Sequence, residues 1–447
     1  ATEVATAHPG SLAGDDRVFD AFCERLGIVR VFTIEDLVVT AGLLAATGPL
    51  MAPGLEFVSI SGGACTLAAD GAEDAGVLLP PHGPEVIDAL SGVLSSFGST
   101  LNPLDVTGAV IRDPSLLERV LPVVADSPEV GLVAVNLPVP VSDGQVPLTG
   151  MLDAIGRSAA QMKKPLVFVQ TTGKSLTDLT RKAIAAHQLP HIVCGIDSLL
   201  RAVGRAVWWS GQLAHSPAPL LLALPRLEER PALDTERAVL DYLDQRSIPV
   251  VPAVVARTRA EAEAVPGDGP FAMKILSPDI AHKTEVGGVR LGVLREALGT
   301  SFDSMLAAVE KAAPAARIEG VILSPMRSGG VELLVGITRD STWGPTITIG
   351  SGGILVELMA DVAIAPLPVT PGQVRDMLRT LRGFRLLEGF RSTPPADLDR
   401  LSAVIARIGG EALGLGADLE SLEINPLLVR GADVEALDGL VSWKDSK

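Results

Sequence analysis

Three short apolar runs dominate the first half of the chain: LEFVSIS at 55–61, VGLVAVN at 130–136 and PLVFVQ at 165–170. Each is too short for a helix and rich in β-branched residues, so each predicts a buried strand. Helical periodicity lies between and after them, at 64–76, 148–162, 175–187 and 196–209. Strands alternating with helices at this spacing predict βαβ units around a parallel sheet. Upstream, 15–47 reads as helix, short strand at 28–32, helix, which is too little to close a core and looks like the tail of a domain. The segment MAPG at 51–54 breaks the chain after it. The Pro-rich stretch 214–234 has no single period and reads as a linker. A helix at 235–246 follows, then short strands and dense Gly-bearing segments. No solenoid-type repeat is present.

Composition narrows the classes. A chain of 447 residues with 47% hydrophobic and 20% charged residues is globular and long enough for two to four folding units. Aromatics are only 3%, so Ala, Val, Leu and Ile must build the cores. A net charge of −16 argues against nucleic acid or an anionic membrane as partner. Cys23, Cys65 and Cys194 form no CxxC pair, which fits a reducing, cytoplasmic setting and excludes a disulfide framework. No run approaches the roughly 18 apolar residues of a membrane span, and the N-terminus has no secretory pattern.

Chemistry gathers in the second half. In FAMKILSPDIAHKTEVGGVRLGV (271–293), Lys274 lies in an apolar strand, a costly place for an ammonium unless it meets an anion. The loop after it holds His282, Lys283 and the pair Gly287 and Gly288, suited to folding over phosphates and opening again. In 320–340, Glu332 lies in a strand, and Gly350, Gly352 and Gly353 form a second tight loop. In SLEINPLLV and EALDGLV, Asn425 and Asp438 fall near the ends of two successive strands. Two oxygen ligands, with water and phosphate completing the octahedron, is how Mg²⁺ prefers to bind. Each piece also has a plain reading: a snorkelling lysine, a Gly-Gly turn, a strand-ending Asn-Pro.

Taken in order, these segments resemble the ATP-grasp domain of ADP-forming acyl-CoA synthetases, relatives of succinyl-CoA synthetase. The family pattern is a Lys-bearing strand, an SPD-x-x-HK-x-x-VGGV loop, a GGVEL-x-VG strand, a GxGG loop and an EINPL strand, and all five are present between 220 and 443. The resemblance implies that Lys274 contacts ATP phosphates and that Glu332, Gly352 and Gly353 also belong to the ATP site. It places Ser324, Pro325 and Met326 beside adenine, and assigns Asn425 and Asp438 to Mg²⁺. Glu285 stands where Asp is common, and Ser351 sits inside the GxGG loop.

The same resemblance singles out two of the six histidines. His8, in AHPGSLAGDD, matches the family's SHTGALAGSD loop, whose histidine accepts a phosphoryl group; Ala7 and Pro9 replace Ser and Thr. Neutral imidazole is a good nucleophile near pH 7. His282 matches a second loop histidine that relays phosphate. His82, His187, His191 and His215 are expected at surface or loop positions. SISGGACTLAADG resembles the NSGGPGVMAAD segment of a flavodoxin-like domain, in which a helix N-terminus faces the phosphohistidine. Ser61, Gly62 and Gly63 are therefore candidate phosphate-binding residues. Cys65 reads as a small core residue, and NPLDVTG (102–108) as a strand-end turn.

The expected architecture is α/β: a remnant of a flavodoxin-like domain carrying the phosphohistidine loop (1–52), a flavodoxin-like domain (53–213), a linker (214–234) and an ATP-grasp domain (235–447). The implied reaction joins a carboxylic acid to CoA using ATP and Mg²⁺, releasing ADP and phosphate through phosphohistidine and acyl phosphate. No GxGxxG fingerprint follows an N-terminal strand, so CoA is expected mainly on domains outside this sequence, read as part of a longer one. The expected assembly is a homo-oligomer. Two other functions remain open: a carboxylate–amine ligase using acyl phosphate without phosphohistidine, and a nucleotide-sensing module without turnover.

Overall fold

The computed structural model describes residues 15–94, 99–139, 149–173, 177–213, 223–280, 282–352, 361–390 and 394–444. His8, Gly353 and His215 lie outside them. The chain divides into two compact units, Gly27–Pro217 and a second made of Ala1–Leu26 with Ala218–Lys447. The first described helix, α1 (Asp16–Leu26), belongs to the second unit.

The unit Gly27–Pro217 opens with α2 (Ile34–Thr47), capped by the Thr33 hydroxyl. The strand expected at 28–32 does not form: the backbone there is irregular, and Ile28 and Phe32 are 48% and 74% exposed. A short apolar run becomes a strand only where a neighbouring edge takes its backbone groups, and none does so here. The order then runs β1 (Gly54–Ser59), α3 (Gly62–Asp74), α4 (Pro84–Val93), β2 (Leu104–Asp105), α5 (Ala109–Arg112), α6 (Ser115–Ala125), β3 (Val130–Asn136), α7 (Thr149–Gln161), β4 (Leu166–Gln170), α8 (Asp178–His187), β5 (Ile192–Cys194) and α9 (Ile196–Leu213). The strands form one parallel sheet in the order β2-β1-β3-β4-β5, the flavodoxin-like arrangement.

Continuous apolar strands are what a sheet covered on both faces requires, and β1, β3 and β4 are buried at every position. Val58, Val133, Val135 and Phe168 pack into the layer beneath α6 and α7. Leu55, Phe57, Leu132, Ala134, Val167 and Val169 pack into the opposite layer with α3 and α9. Helix α2 lies on α9, so it joins this second layer through Leu43.

The second unit continues with α10 (Glu236–Asp244), β6 (Val254–Ala256), α11 (Arg259–Glu263), β7 (Phe271–Leu276), β8 (Val289–Val293), α12 (Leu298–Ala312), β9 (Gly320–Pro325), β10 (Val331–Asp340), β11 (Gly344–Ser351), β12 (Val362–Pro366), α13 (Pro371–Thr380), α14 (Phe384–Leu387), α15 (Leu398–Gly414), β13 (Leu419–Arg430), β14 (Asp433–Ala436) and β15 (Gly439–Trp443). Two antiparallel sheets result. The smaller has the order β6-β9-β7-β8 and packs on α12. The larger runs β12-β11-β10-β13-β14, with β15 also on β13, and packs on α10, α13 and α15. Helix α1 docks on the larger sheet's side: Phe19 and Phe22 lie against the Trp343 ring at 5.3 and 4.8 Å between centroids. Arg25 Nη1 donates to the carbonyls of Pro366 and Pro368 at 2.8 and 2.7 Å.

Asn425 and Pro426 do not end a strand. β13 runs through them with a cis Asn425–Pro426 bond. The strand changes partner there, pairing β15 up to Ile424 and β14 from Leu427 onward. A proline has no N–H for a ladder, and this change of partner is where one is tolerated.

Candidate active site

The site of the second unit starts from the alternation of β7. Phe271, Met273 and Ile275 turn into the core, which sends Lys274 off the other face. Its ammonium meets the larger sheet's turn: Lys274 Nζ donates to Asp438 Oδ2 at 2.7 Å and to the Leu437 carbonyl at 3.2 Å. It also donates to Glu236 Oε1 at 2.8 Å. Lys283 Nζ donates to the other oxygen, Glu236 Oε2. Glu236 sits in the first turn of α10, whose N-cap Thr235 accepts from the Ala238 N–H. Burial by itself would lower the Lys274 pKa. The charges of Glu236 and Asp438, and their hydrogen bonds, outweigh it and hold the ammonium above its ordinary value. The ammonium in this apolar strand thus meets two carboxylates between the two sheets.

The β13–β15 register ends at Ile424 opposite Gly439, and Asn425 and Asp438 are the next residues on either side of that last pair. Asn425 Nδ2 donates to Glu423 Oε1 at 3.1 Å. Asp438 supplies a carboxylate and Asn425 a carboxamide oxygen, both hard donors, on the edge where Lys274 arrives. This pair fits Mg²⁺, which takes few protein ligands and keeps water and phosphate for the rest. Among the described residues no group of three or more His, Cys, Asp or Glu is placed to hold a metal.

Ser324 and Pro325 pair with Ala272 and Phe271, two to three positions along the sheet from Lys274, and the Met326 N–H bonds the Pro270 carbonyl at 2.9 Å. Beside them Arg327 makes a two-pronged pair with Glu435 at 2.6 and 2.9 Å, joining β9's end to β14. Glu332 and Gly352 belong to a separate feature, a cavity of about 150 Å³ also lined by Ser351, Leu381 and Leu387. Gly352 N–H bonds the Glu332 carbonyl at 2.6 Å, and a Cβ at Gly352 would lie 2.6 Å from that carbonyl. No hydrogen bond or ion pair among the described residues links these two to Lys274. His282 is exposed at the start of its loop. That loop closes back on β7 through Gly288 N–H to Lys283 O at 2.8 Å and Ile275 N–H to Gly288 O at 2.7 Å.

In the parallel-sheet unit, Ser61 caps α3, its hydroxyl accepting from the Ala64 N–H at 3.4 Å. The first amides of the helix, those of Gly62 and Gly63, have no partner within it by helix geometry. Asp105 Oδ2 stands 3.1 Å from where a Gly62 Cβ would be. Burial, then the carboxylates of Asp105 and Glu56, push the Cys65 thiol up to about 12, so it stays protonated as a core residue. His82 is neither a surface nor a free loop histidine. It is buried, with Nε2 3.0 Å from Glu56 Oε2 and Nδ1 2.8 Å from the Thr100 carbonyl. His187 also has a partner, Asp153 at 2.6 Å. The turn NPLDVTG is structural: Asn102 accepts from Phe57 N–H and donates to Leu55 and Pro80 carbonyls.

Sequence reasoning missed Glu236, Glu56 and Arg327. Glu56 had a signal, an acid in the middle of an otherwise apolar strand. Glu236 had almost none, because an acid in the first turn of a capped helix is ordinary.

Comparison with known proteins agrees with this architecture. Residues 226–442 match the ATP-grasp domain family, and residues 1–44 match the succinyl-CoA ligase like flavodoxin domain. The second match ends before the parallel sheet begins at Gly54. The beta subunit of ADP-forming acetate–CoA ligase I from Pyrococcus furiosus is 32% identical over 216 residues, 48% of this chain and 92% of that protein. ADP-forming acetate–CoA ligase I of Archaeoglobus fulgidus is 29% identical over 449 residues, 96% of this chain and 62% of that one. An ADP-forming 4-hydroxybutyrate–CoA ligase of Nitrosopumilus maritimus is 28% identical over 454 residues, 98% and 64%. The chain belongs to the ADP-forming acyl-CoA synthetase family. It spans less than two-thirds of the length of the last two relatives.

Proposed function

We propose that this chain carries the nucleotide and phosphohistidine steps of an ADP-forming acid–CoA ligase. ATP binds between the two sheets of the second unit, with Lys274 on its phosphates and adenine along Ser324, Pro325 and Met326. Mg²⁺, held by Asn425 and Asp438, supplies charge neutralisation for the transferring phosphoryl group. A histidine nitrogen attacks the γ-phosphorus, the bond to the ADP oxygen breaks, and the phosphoryl group becomes a phosphoramidate. His282 receives and relays it, and His8 carries it to the acid. The acid's carboxylate then takes the phosphoryl group as acyl phosphate, and the CoA thiolate displaces inorganic phosphate at the acyl carbon. Ser61, Gly62 and Gly63, at the N-terminus of α3, form a phosphate-binding site.

The observation that carries this reading is the half-buried Lys274 ammonium, held on the Asp438 carboxylate just before β15, whose pairing with β13 begins at Gly439 opposite Ile424. Two others support it. Helix α1, which begins at Asp16, the last residue of the AHPGSLAGDD segment, packs within the nucleotide unit. Helix α2 leaves Ile34, Leu37 and Val38 exposed, an apolar face suited to further protein. CoA and the acid are proposed to bind mainly on domains beyond this chain. The parallel-sheet unit disfavours a simple carboxylate–amine ligase, and the intact Lys274, Asn425 and Asp438 set disfavours a sensor without turnover.

Calorimetric titration with ATP in the presence of Mg²⁺ tests the nucleotide site. The wild-type chain binds, and Lys274→Met binds about ten- to a hundredfold more weakly, the worth of a charge-assisted contact. Equal affinity in the two proteins would place the phosphates elsewhere.

A further inference from the structure

We propose that Glu236 is a positioning residue: its two carboxylate oxygens tie the His282 loop to the lysine that meets the phosphates. Three separate pieces of chain converge on this side chain. Oε1 accepts from Lys274 on β7 at 2.8 Å, Oε2 accepts from Lys283 beside His282, and the carboxylate itself rises from the first turn of α10. The side chain is only 2% exposed, and the two lysine side chains 16% each. A carboxylate this deep cannot release one partner cheaply, because the charge left behind has no water to turn to. Asp438 completes the balance, so two carboxylates face two ammoniums across the gap between the sheets.

The arrangement fixes the loop at two levels. Glu236 holds the Lys283 side chain, while the Lys283 carbonyl holds the Gly288 N–H at 2.8 Å. Gly287, at φ +72, is the flexible point between them. His282, immediately before Lys283, therefore leaves the surface from an anchored neighbour. The same carboxylate orients Lys274, so the position of the relay histidine and of the phosphate lysine share one support. This coupling rests on the nucleotide reading above; the tie itself exists without nucleotide.

Amide hydrogen exchange over 283–288 in the unliganded chain, measured for wild type, Glu236→Gln, Lys283→Met and the double variant, tests the tie. A neutral amide cannot balance two lysines, so each single variant exchanges Gly287 and Gly288 amides about fivefold faster or more. The double variant is no faster than the faster single one, because both changes cut the same link. Exchange at the wild-type rate in a folded Glu236→Gln, or single effects that multiply, overturns the proposal. Should Glu236→Gln not fold, Lys283→Arg restores protection that Lys283→Met lacks; protection surviving in Lys283→Met overturns it. A second arm titrates ADP with Mg²⁺: Glu236→Gln weakens binding in the wild-type background and adds nothing in Lys274→Met, and additive losses there overturn the coupling. A wild-type chain that ignores the nucleotide while its loop shows the tie sinks the nucleotide reading instead.

Discussion

Lys274 shows how far a single residue can be read from sequence and where reading stops. An ammonium in an apolar strand demanded an anion, and the structure supplies two carboxylates and a carbonyl. Which carboxylates could not be read, because Glu236 and Asp438 are far from Lys274 in the chain and nothing local marks them as its neighbours. Asp438 carries two demands at this scale, as partner of Lys274 and as proposed metal ligand. Asp438→Asn keeps the shape and removes the charge. The Mg²⁺ concentration needed for half-maximal ADP binding is then expected to rise about tenfold or more, a loss typical of one charged contact. An unchanged Mg²⁺ requirement in calorimetric titrations would separate Asp438 from the metal.

Among the elements, the strands of the parallel sheet were the most legible part of the fold. Near-continuous Val, Leu and Phe runs have one stable home, a sheet covered on both faces. The expected strand at 28–32 failed because apolar character alone provides no edge to pair with. His82 failed in the opposite direction: its Pro and Gly neighbours, PPHGP, suggest an open loop, yet Glu56 on β1 and the Thr100 carbonyl draw the ring into the core. This pair pins β1 to the segments before α4 and β2. Burial raises the Glu56 pKa and the His82 charge only partly offsets it, while for His82 burial is outweighed by Glu56 and Thr100, so its pKa is raised too. Both directions mean that the folded chain holds protons more tightly than the unfolded one. His82's share of that stabilisation is thus full below the ordinary histidine pKa of about 6.5 and is lost as pH rises through its raised value, whereas Glu56's share already declines above the ordinary glutamate pKa of about 4.3. His82→Gln is expected to cost about 3–5 kcal/mol at pH 6, as for a broken buried pair, and clearly less at pH 9. Melting curves of both proteins across that range check the sign; a gap that widens with pH would contradict it.

For the whole molecule, the order of chemistry along the chain was legible and its assembly was not. The ATP-grasp segments appear in sequence as they appear in space, on two antiparallel sheets that meet at Lys274 and Asp438. The division of the first 52 residues is not visible in the pattern: α1 packs with the nucleotide unit through Phe19, Phe22 and Arg25, whereas α2 packs with the parallel sheet. Both helices carry apolar faces, and periodicity does not say which surface each will choose. No helix among the described residues is long and apolar enough to cross a membrane. The central claim is that a nucleotide held at Lys274 delivers its γ-phosphoryl group to a histidine of this chain. Incubation with γ-labelled ATP and Mg²⁺, followed by acid and base treatment, tests it most directly. The account predicts an acid-labile, base-stable label on His8 that is lost in His8→Ala; undiminished label in that variant, or label stable to acid, would contradict it.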